Sequence, residues 1–249
     1  MFCFTQTYSN NRHELFHFHN KDKVDRLFRN QMDKNVYAFH NVPESYLTQV
    51  LQNDYFTKMD RLECIQYNDM TYSITFFHTL RKCKEEGYTY LFFLQDDVFS
   101  MMDESVMKEL LQFIKTNRFD MLNLETPYER LTTNAEPIYS SNGFTIYNTT
   151  TEDFKNSGLW PFDDSPYVAH IDYLLQWYDD KYIQQPLISY AEAYLAMKAN
   201  NSPQKRYVTN HVLFKRIGIV GPNAWNREVE LGFLQEKFDK NENENTDEE

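Results

Sequence analysis

The sequence predicts an α/β fold in which a mostly parallel sheet is covered by helices. Over the first hundred residues, short apolar or aromatic runs alternate with stretches that carry apolar residues at helical spacing, and this alternation is typical of a parallel sheet. Tyr88–Leu94 is the strongest strand, since every residue except Thr89 is apolar or aromatic, as expected for a strand buried on both faces. The chain has 249 residues, 41% hydrophobic and 25% charged, which suits a single globular domain.

The other elements of the first half follow from similar local patterns. Apolar or aromatic runs predict strands at Phe2–Thr7, Asn35–Phe39 and Leu62–Tyr67. Apolar residues at helical spacing predict helices at Lys21–Lys34, Glu44–Gln52 and Met70–Glu86, and Gly87 gives the last of them a stop signal. Strands and helices therefore alternate up to the strongest strand.

The second half has more varied elements. They are a helix at Asp103–Asn117, a strand at Phe119–Leu124, one or two strands within Ile138–Asn148 that turn at Asn142-Gly143, a short helix at Ala169–Trp177 and a strand at Leu187–Tyr190. We interpret residues 1–100 and 101–235 as two halves of one domain. Residues 236–249 form a separate tail, because Asn241–Glu249 carries five acids and no base, a composition that predicts disorder.

Composition also excludes some classes of function. The formal net charge of −12 argues against a surface that binds nucleic-acid phosphates. Three cysteines without a Cys-x-x-Cys spacing favour a reducing compartment. No signal peptide is visible, and no apolar run approaches the roughly 18 residues of a membrane span. We therefore expect a cytoplasmic protein with no membrane span and no nucleic-acid partner.

Two adjacent acids follow the strongest strand. Gln95, Asp96 and Asp97 come directly after Leu94, and in open α/β sheets ligands bind at the carboxyl ends of the strands. Carboxylates next to so apolar a strand are costly to desolvate unless a cation or hydrogen bonds compensate. Asp oxygens suit Mg²⁺ or Mn²⁺, which commonly bridge one or two carboxylates to substrate phosphates. The alternative is that the two acids cap the helix that starts near Asp103.

A hydrophobic strand that runs into an acidic triplet resembles the Asp-x-Asp metal signature of GT-A-fold glycosyltransferases. The resemblance covers residues 2–220 at the level of layout, and its specific motif is three residues long. It implies a single GT-A-like, Rossmann-like domain that binds a nucleotide-sugar donor with Mn²⁺ or Mg²⁺. Asp97 then matches the metal ligand and Asp96 a contact to the ribose or the sugar. Gln95 departs from the pattern, because it stands where the first acid usually is.

The same resemblance assigns roles to residues outside the triplet. The loop after the first strand contacts the nucleotide base in that family, which implicates Thr7, Tyr8 and Arg12; the alternative is an ordinary polar turn. Further along, the resemblance implicates Asp69 as a contact to the base or ribose. Near the end of the chain it implicates His211 as a further metal ligand or pyrophosphate contact, although a lone histidine is more often structural. Lys215 and Arg216 would neutralise a leaving phosphate.

A general base is needed only if the enzyme inverts the configuration of the sugar. Asp172, before or at the start of a short helix, resembles the acid that deprotonates the acceptor hydroxyl in inverting GT-A enzymes. Asp164, in the pair Asp163-Asp164, is the rival match. The structural alternative is that Asp172 is a favourable charge at a helix N-terminus.

The sequence therefore predicts a metal-dependent hexosyl- or pentosyltransferase that acts on a glycan or another hydroxyl acceptor, by analogy in a viral or bacterial glycan pathway. The absence of Gly-x-x-x-x-Gly-Lys-[Ser/Thr] and Gly-x-Gly-x-x-Gly motifs disfavours P-loop and dinucleotide enzymes. The alternative function is a non-catalytic GT-A-like binding protein with a weakened metal site, which the glutamine at position 95 would fit.

Overall fold

The computed structural model describes residues 1–7, 14–68, 71–159, 162, 165–178, 198 and 205–217. The strands are β1 (Phe2–Thr7), β2 (Lys34–His40), β3 (Leu62–Tyr67), β4 (Tyr90–Gln95), β5 (Val98–Ser100), β6 (Met121–Asn123), β7 (Pro137–Ser140), β8 (Thr145–Thr150), β9 (Tyr167–His170), β10 (Lys205–Thr209) and β11 (Phe214–Arg216). The α-helices are α1 (Leu15–Lys21), α2 (Lys23–Gln31), α3 (Glu44–Leu51), α4 (Asp54–Thr57), α5 (Tyr72–Glu85), α6 (Glu104–Thr116), α7 (Thr151–Asn156) and α8 (Ile171–Leu175).

In the described part of the chain, one large sheet has the strand order β3-β2-β1-β4-β9-β6-β10-β8-β7. β1, β2, β3 and β4 are mutually parallel, and β6 is parallel to β10. β9 lies antiparallel between β4 and β6, while β8 is antiparallel to β10 and β7. The predicted α/β class with a mostly parallel sheet is confirmed.

Helices cover both faces of the sheet. Because neighbouring residues of a strand point to opposite faces, Phe2 and Phe4 of β1 pack with α5 on one side. Cys3 between them packs on the other side with α2 and α6. Both faces are apolar, which explains why the central strands read as unbroken apolar runs. No helix in the described ranges is long and apolar enough to cross a membrane.

The predicted helix at Lys21–Lys34 corresponds to α2, which is shorter: it begins at Lys23, just after α1 ends at Lys21, and it ends at Gln31. Asp22 has an extended backbone between them, and its carboxylate accepts hydrogen bonds from the backbone N–H groups of Val24 and Asp25. This is the arrangement of an N-cap. Every apolar residue of the predicted segment, from Val24 to Met32, follows Asp22, so the hydrophobic spacing carried no information about the break.

The predicted helix at Ala169–Trp177 is also only partly correct. Its first residues belong to β9, which ends at His170, and the helix α8 begins at Ile171. Tertiary pairing overrides the local pattern here, because β9 fills the space between β4 and β6 and pairs with both. The predicted strand at Leu187–Tyr190 and the predicted tail at 236–249 lie outside the described residues.

Gly143 lies in the predicted turn between β7 and β8, but not for the expected reason. Its backbone is not in the left-handed region that an Asn-Gly hairpin turn of the common type would use. Instead the turn approaches α6 closely: a Cβ on Gly143 would lie 2.9 Å from one methyl of Val106 and closer to the other. The glycine therefore permits a close contact between the hairpin and α6.

We expect Gly143→Ala to lower the free energy of unfolding by about 1–3 kcal/mol, the usual cost of overpacking. Urea unfolding of the wild type, Gly143→Ala, Val106→Ala and the double variant measures it. The cost of the Gly143 substitution should shrink in the Val106→Ala background, because that change removes the two methyl groups in question. An equal cost in both backgrounds would contradict the close contact.

Candidate functional site

The acidic pair lies at the carboxyl end of β4, in the middle of the large sheet. Asp96 and Asp97 are only 1% and 3% exposed. The backbone N–H of Asp96 donates to the carbonyl of Gln6 on β1 at 3.0 Å. The carbonyl of Asp97 accepts from the N–H of Ile217, just after β11, also at 3.0 Å. The turn that carries both carboxylates is thus fixed from two directions.

Asp96 and Asp97 are not the cap of the following helix. Asp103 performs that role for α6: its Oδ1 accepts from the N–H of Val106 at 2.9 Å and from the hydroxyl of Ser105 at 2.8 Å. These hydrogen bonds hold the pKa of Asp103 below its usual value. The capping interpretation of the acidic pair is therefore wrong.

A two-stranded ribbon carries the chain away from the acidic pair. β5 pairs antiparallel with β11, with Val98 opposite Arg216 and Phe99 opposite Lys215. Because successive side chains alternate between faces, Lys215 and Arg216 lie on opposite faces of the ribbon. The ribbon places Arg216 beside the end of β4.

On the β1 side of the site, polar side chains are tied down. The hydroxyl of Thr7 is buried and donates to the carbonyl of Ala38 at 3.0 Å. Tyr72, at the start of α5, donates its hydroxyl to Oε1 of Gln6 at 3.1 Å. Burial and the negative charge of Asp96 raise the pKa of Tyr46 on α3. These polar side chains lie near the carboxyl ends of β1 and β2.

On the β6 side, a second polar group faces the ribbon. Oδ1 of Asn123, the last residue of β6, accepts from the N–H groups of Glu125 and Thr126 at 3.0 and 2.7 Å. This turn aims Glu125 at Arg216: Oε1 accepts from the backbone N–H of Arg216 at 3.2 Å, and Oε2 lies 3.4 Å from its Nη2. Glu125 thereby fixes an arginine beside the acidic pair.

The structure gathers some of the residues predicted from the sequence and separates others. Thr7, Gln95, Asp96 and Asp97 lie together at the carboxyl ends of β1 and β4. Lys215 is on β11, which pairs with β5 next to the acidic pair, but its side chain lies on the opposite face of the ribbon from that of Arg216. The predicted contacts Tyr8, Arg12 and Asp69 and the rival base Asp164 lie outside the described residues.

His211 lies farther along the sheet. Its carbonyl accepts from the hydroxyl of Thr209 at the end of β10, and its neighbour Asn210 pairs with Thr145 at the start of β8. β10 is the third strand from β4 in the sheet, and neighbouring strands of a sheet lie about 4.8 Å apart. No described contact joins His211 to Asp97, so its role as a metal ligand stays a prediction.

Asp172 lies at the opposite edge of the sheet from the acidic pair. His170 pairs with Tyr90, the first residue of β4, whereas Asp97 follows the last one, so the two edges are separated by the length of β4, roughly 20 Å at about 3.3 Å per residue. The Asp172 carboxylate is 57% exposed and lies 2.5 Å from Nζ of Lys84. This contact lowers the pKa of Asp172. The geometry therefore argues against the predicted role of Asp172 as general base.

The donor atoms at the site suit a hard divalent cation. No group of three or more His, Cys, Asp or Glu side chains within the described residues is arranged to hold a metal by itself. Asp96 and Asp97 supply carboxylate oxygens, and Mg²⁺-type ions often take only one or two carboxylates and complete their shell with phosphate and water. A cation shared with a diphosphate therefore fits these residues better than an all-protein cage.

The sequence did not reveal two of the residues that build this site, Glu125 and His19. Glu125 and Arg216 are 91 positions apart in the chain. His19 on α1 contacts the carbonyl of Asp96 across 77 positions. The three histidines at 13, 17 and 19 were visible in the sequence, but nothing in their spacing pointed to the acidic pair.

Comparison with solved structures identifies the fold. TarS of S. aureus, residues 1–349, superposes with a TM-score of 0.52 at 15% identity, covering 86% of this chain and 59% of TarS. The protein has a GT-A-like fold. UDP-glucose pyrophosphorylase in complex with UDP-glucose matches with a TM-score of 0.40 at 10% identity, over 83% of this chain and 89% of that one. An active-site mutant of LgtC matches with a TM-score of 0.42 at 9% identity, over 79% and 70%.

These likenesses are structural only. Neither a protein-family model nor a curated protein matches the sequence. The chain spans somewhat less than two thirds of the TarS fragment that it resembles. The GT-A-like sheet places Asp96 and Asp97 at the end of its fourth strand.

We expect Asp172→Ala to leave nucleotide binding and turnover unchanged, because Asp172 lies at the far edge of the sheet. Its exposed ion pair with Lys84 should contribute at most about 1 kcal/mol to the free energy of unfolding. Urea unfolding and steady-state kinetics measure the two effects. A loss of turnover of about a hundredfold or more, the size of a general-base contribution, with intact folding would restore Asp172 as a base candidate.

Proposed function

We propose that the protein is a metal-dependent glycosyltransferase that moves a sugar from a nucleotide-sugar donor to a hydroxyl acceptor. The observation that carries the proposal is the buried pair Asp96 and Asp97 at the carboxyl end of β4, in a sheet with the GT-A-like order. Ligands of open α/β sheets bind at this edge. A buried acidic pair calls for compensating positive charge, and a cation with a diphosphate would supply it.

On the donor side, Asp97 would bind Mn²⁺ or Mg²⁺, and Asp96 would contact the ribose or the sugar. The cation, when bound, stabilises the charge that builds on the departing nucleotide. Arg216 would add positive charge there, because its backbone pairs with Val98 next to the acidic pair and Glu125 holds its side chain in place. Gln95, buried at the end of β4, contributes an amide where an acid is usual.

On the acceptor side, the polar groups at the carboxyl end of β6 face the same site. Asn123 and Ser165 are buried next to each other, 3.5 Å apart, and Glu125 is directly adjacent. With Asp172 at the far edge of the sheet, Asp164 is the remaining candidate base if the reaction inverts. A retaining reaction would need no such base.

A thermal-shift screen tests the donor site. UDP, GDP, CDP and the corresponding nucleotide sugars are added, with Mn²⁺ or with EDTA, to the wild type, Asp97→Ala and Asp172→Ala. A ligand at 100 times its dissociation constant adds about 2.7 kcal/mol to the free energy of unfolding, which raises the melting temperature of a domain this size by about 5 °C or more. We expect this shift in the wild type and in Asp172→Ala, only with metal, and not in Asp97→Ala.

Each result of the screen has a definite meaning. The readout is the ligand-induced change within each variant, so a change in the intrinsic stability of Asp97→Ala does not affect it. A shift that persists with EDTA, or in Asp97→Ala, would contradict the metal site. No shift with any nucleotide would overturn the glycosyltransferase proposal.

The second candidate is a non-catalytic nucleotide-sugar-binding protein. Gln95 in place of the first acid and the distance of Asp172 from the site favour it. It predicts the same metal-dependent thermal shift without turnover. The two functions are separated by a turnover assay. The nucleotide sugar that binds is incubated with acceptor glycans, and the release of nucleoside diphosphate is measured.

A further inference from the structure

A buried histidine contacts the backbone of the acidic pair. Nε2 of His19, on α1, lies 2.8 Å from the carbonyl oxygen of Asp96. A carbonyl only accepts hydrogen bonds, so Nε2 carries the proton and donates it. The imidazole side chain is 3% exposed, and burial lowers its pKa, which keeps the ring neutral with its proton on Nε2.

The ring of His19 packs against two other aromatic rings. It stacks on Phe99 of β5 with a centroid distance of 4.2 Å and an angle of 6° between the planes. It also contacts the ring of Tyr55 at a centroid distance of 5.6 Å. Its remaining nitrogen, Nδ1, faces Oδ1 of Asp25 at 3.8 Å. These contacts fix both the position and the rotation of the ring.

A buried polar network holds these contacts in turn. Asp25 accepts from Nε of Arg29 at 3.3 Å and from the hydroxyl of Tyr55 at 2.9 Å. Tyr55 is 2.6 Å from the hydroxyl of Tyr37. Arg29 also donates to the hydroxyl of Thr5 on β1 at 2.7 Å. The network therefore connects α1, α2 and α4 to the strands that end at the site.

We propose that His19 is a positioning residue for donor binding. Its Nε2–H holds the carbonyl of Asp96, so that the Asp96–Asp97 turn keeps the orientation in which its carboxylates receive the cation and the diphosphate. This inference rests on the proposed function. It goes beyond it because it assigns part of the donor affinity to a residue on α1 that touches neither ligand.

Three substitutions separate the hydrogen bond from the packing of the ring. His19→Phe keeps an aromatic ring against Phe99 and removes the donor. His19→Gln and His19→Met have similar length and flexibility, but only glutamine retains an N–H donor. His17→Phe, an exposed position on the same helix, is the matched control. The dissociation constant of the nucleotide found in the screen is measured with Mn²⁺ for each variant.

We expect His19→Phe and His19→Met to raise this dissociation constant about tenfold or more, the usual effect of losing an outer contact that orients the residues of a metal site. His19→Gln should stay close to the wild type, and His17→Phe should match it. Equal binding by all variants would overturn the proposal, as would equal weakening in His19→Gln and His19→Met. If His19→Phe does not fold, the comparison of glutamine with methionine decides alone.

A measurement without nucleotide distinguishes this proposal from the proposed function. Hydrogen exchange of the peptide that contains residues 95–100 should be faster in His19→Met than in His19→Gln, because only glutamine can still hold the turn. Unchanged exchange in His19→Met would overturn the positioning role. If the wild type binds no nucleotide while exchange responds as expected, the contact is structural only and both proposals for donor binding fail.

Discussion

Much of this structure depends on the burial of two carboxylates at the end of an apolar strand. Asp96 and Asp97 follow β4, whose residues are buried on both faces of the sheet. Removing charge from water without compensation costs several kcal/mol per group. The surrounding chain fixes the turn that carries them: its backbone is hydrogen-bonded to β1 and to the residue after β11, and Glu125 holds Arg216 nearby. Elements distant in sequence thus meet where β4 ends.

The sequence was sufficient for the parts of the fold that depend on local pattern. The strands Phe2–Thr7 and Leu62–Tyr67 coincide with β1 and β3, and α6 differs from the predicted helix by one residue at each end. The strength of β4 as a strand and the acids that follow it also led directly to the candidate site. Each of these signals comes from consecutive residues, so no knowledge of tertiary contacts was needed.

The disagreements have a different origin. The resemblance to GT-A enzymes assigns Asp172 to the site because it stands at the start of a short helix, like the base of inverting members. β9, however, runs antiparallel to β4 and so delivers the chain to the amino edge of the sheet. The direction of one short strand therefore decides which edge receives the acid. The pairing that sets this direction is tertiary, and the four residues of β9 give little local sign of it. The same holds for Glu125 and His19, which reach the site only through contacts between distant segments.

The network behind His19 raises the question of why charged residues are buried there at all. Asp25 and Arg29 are 6% and 4% exposed, and replacing a buried ion pair by apolar residues of similar volume is often neutral or stabilising. A purely apolar layer between α2 and β1 would therefore have sufficed for stability. Directional hydrogen bonds fix orientation in a way that apolar contacts do not. Asp25 faces the His19 ring that donates to Asp96, and Arg29 donates to Thr5 on β1. The buried charges of Asp25 and Arg29 therefore lie where they can help to orient the acidic turn.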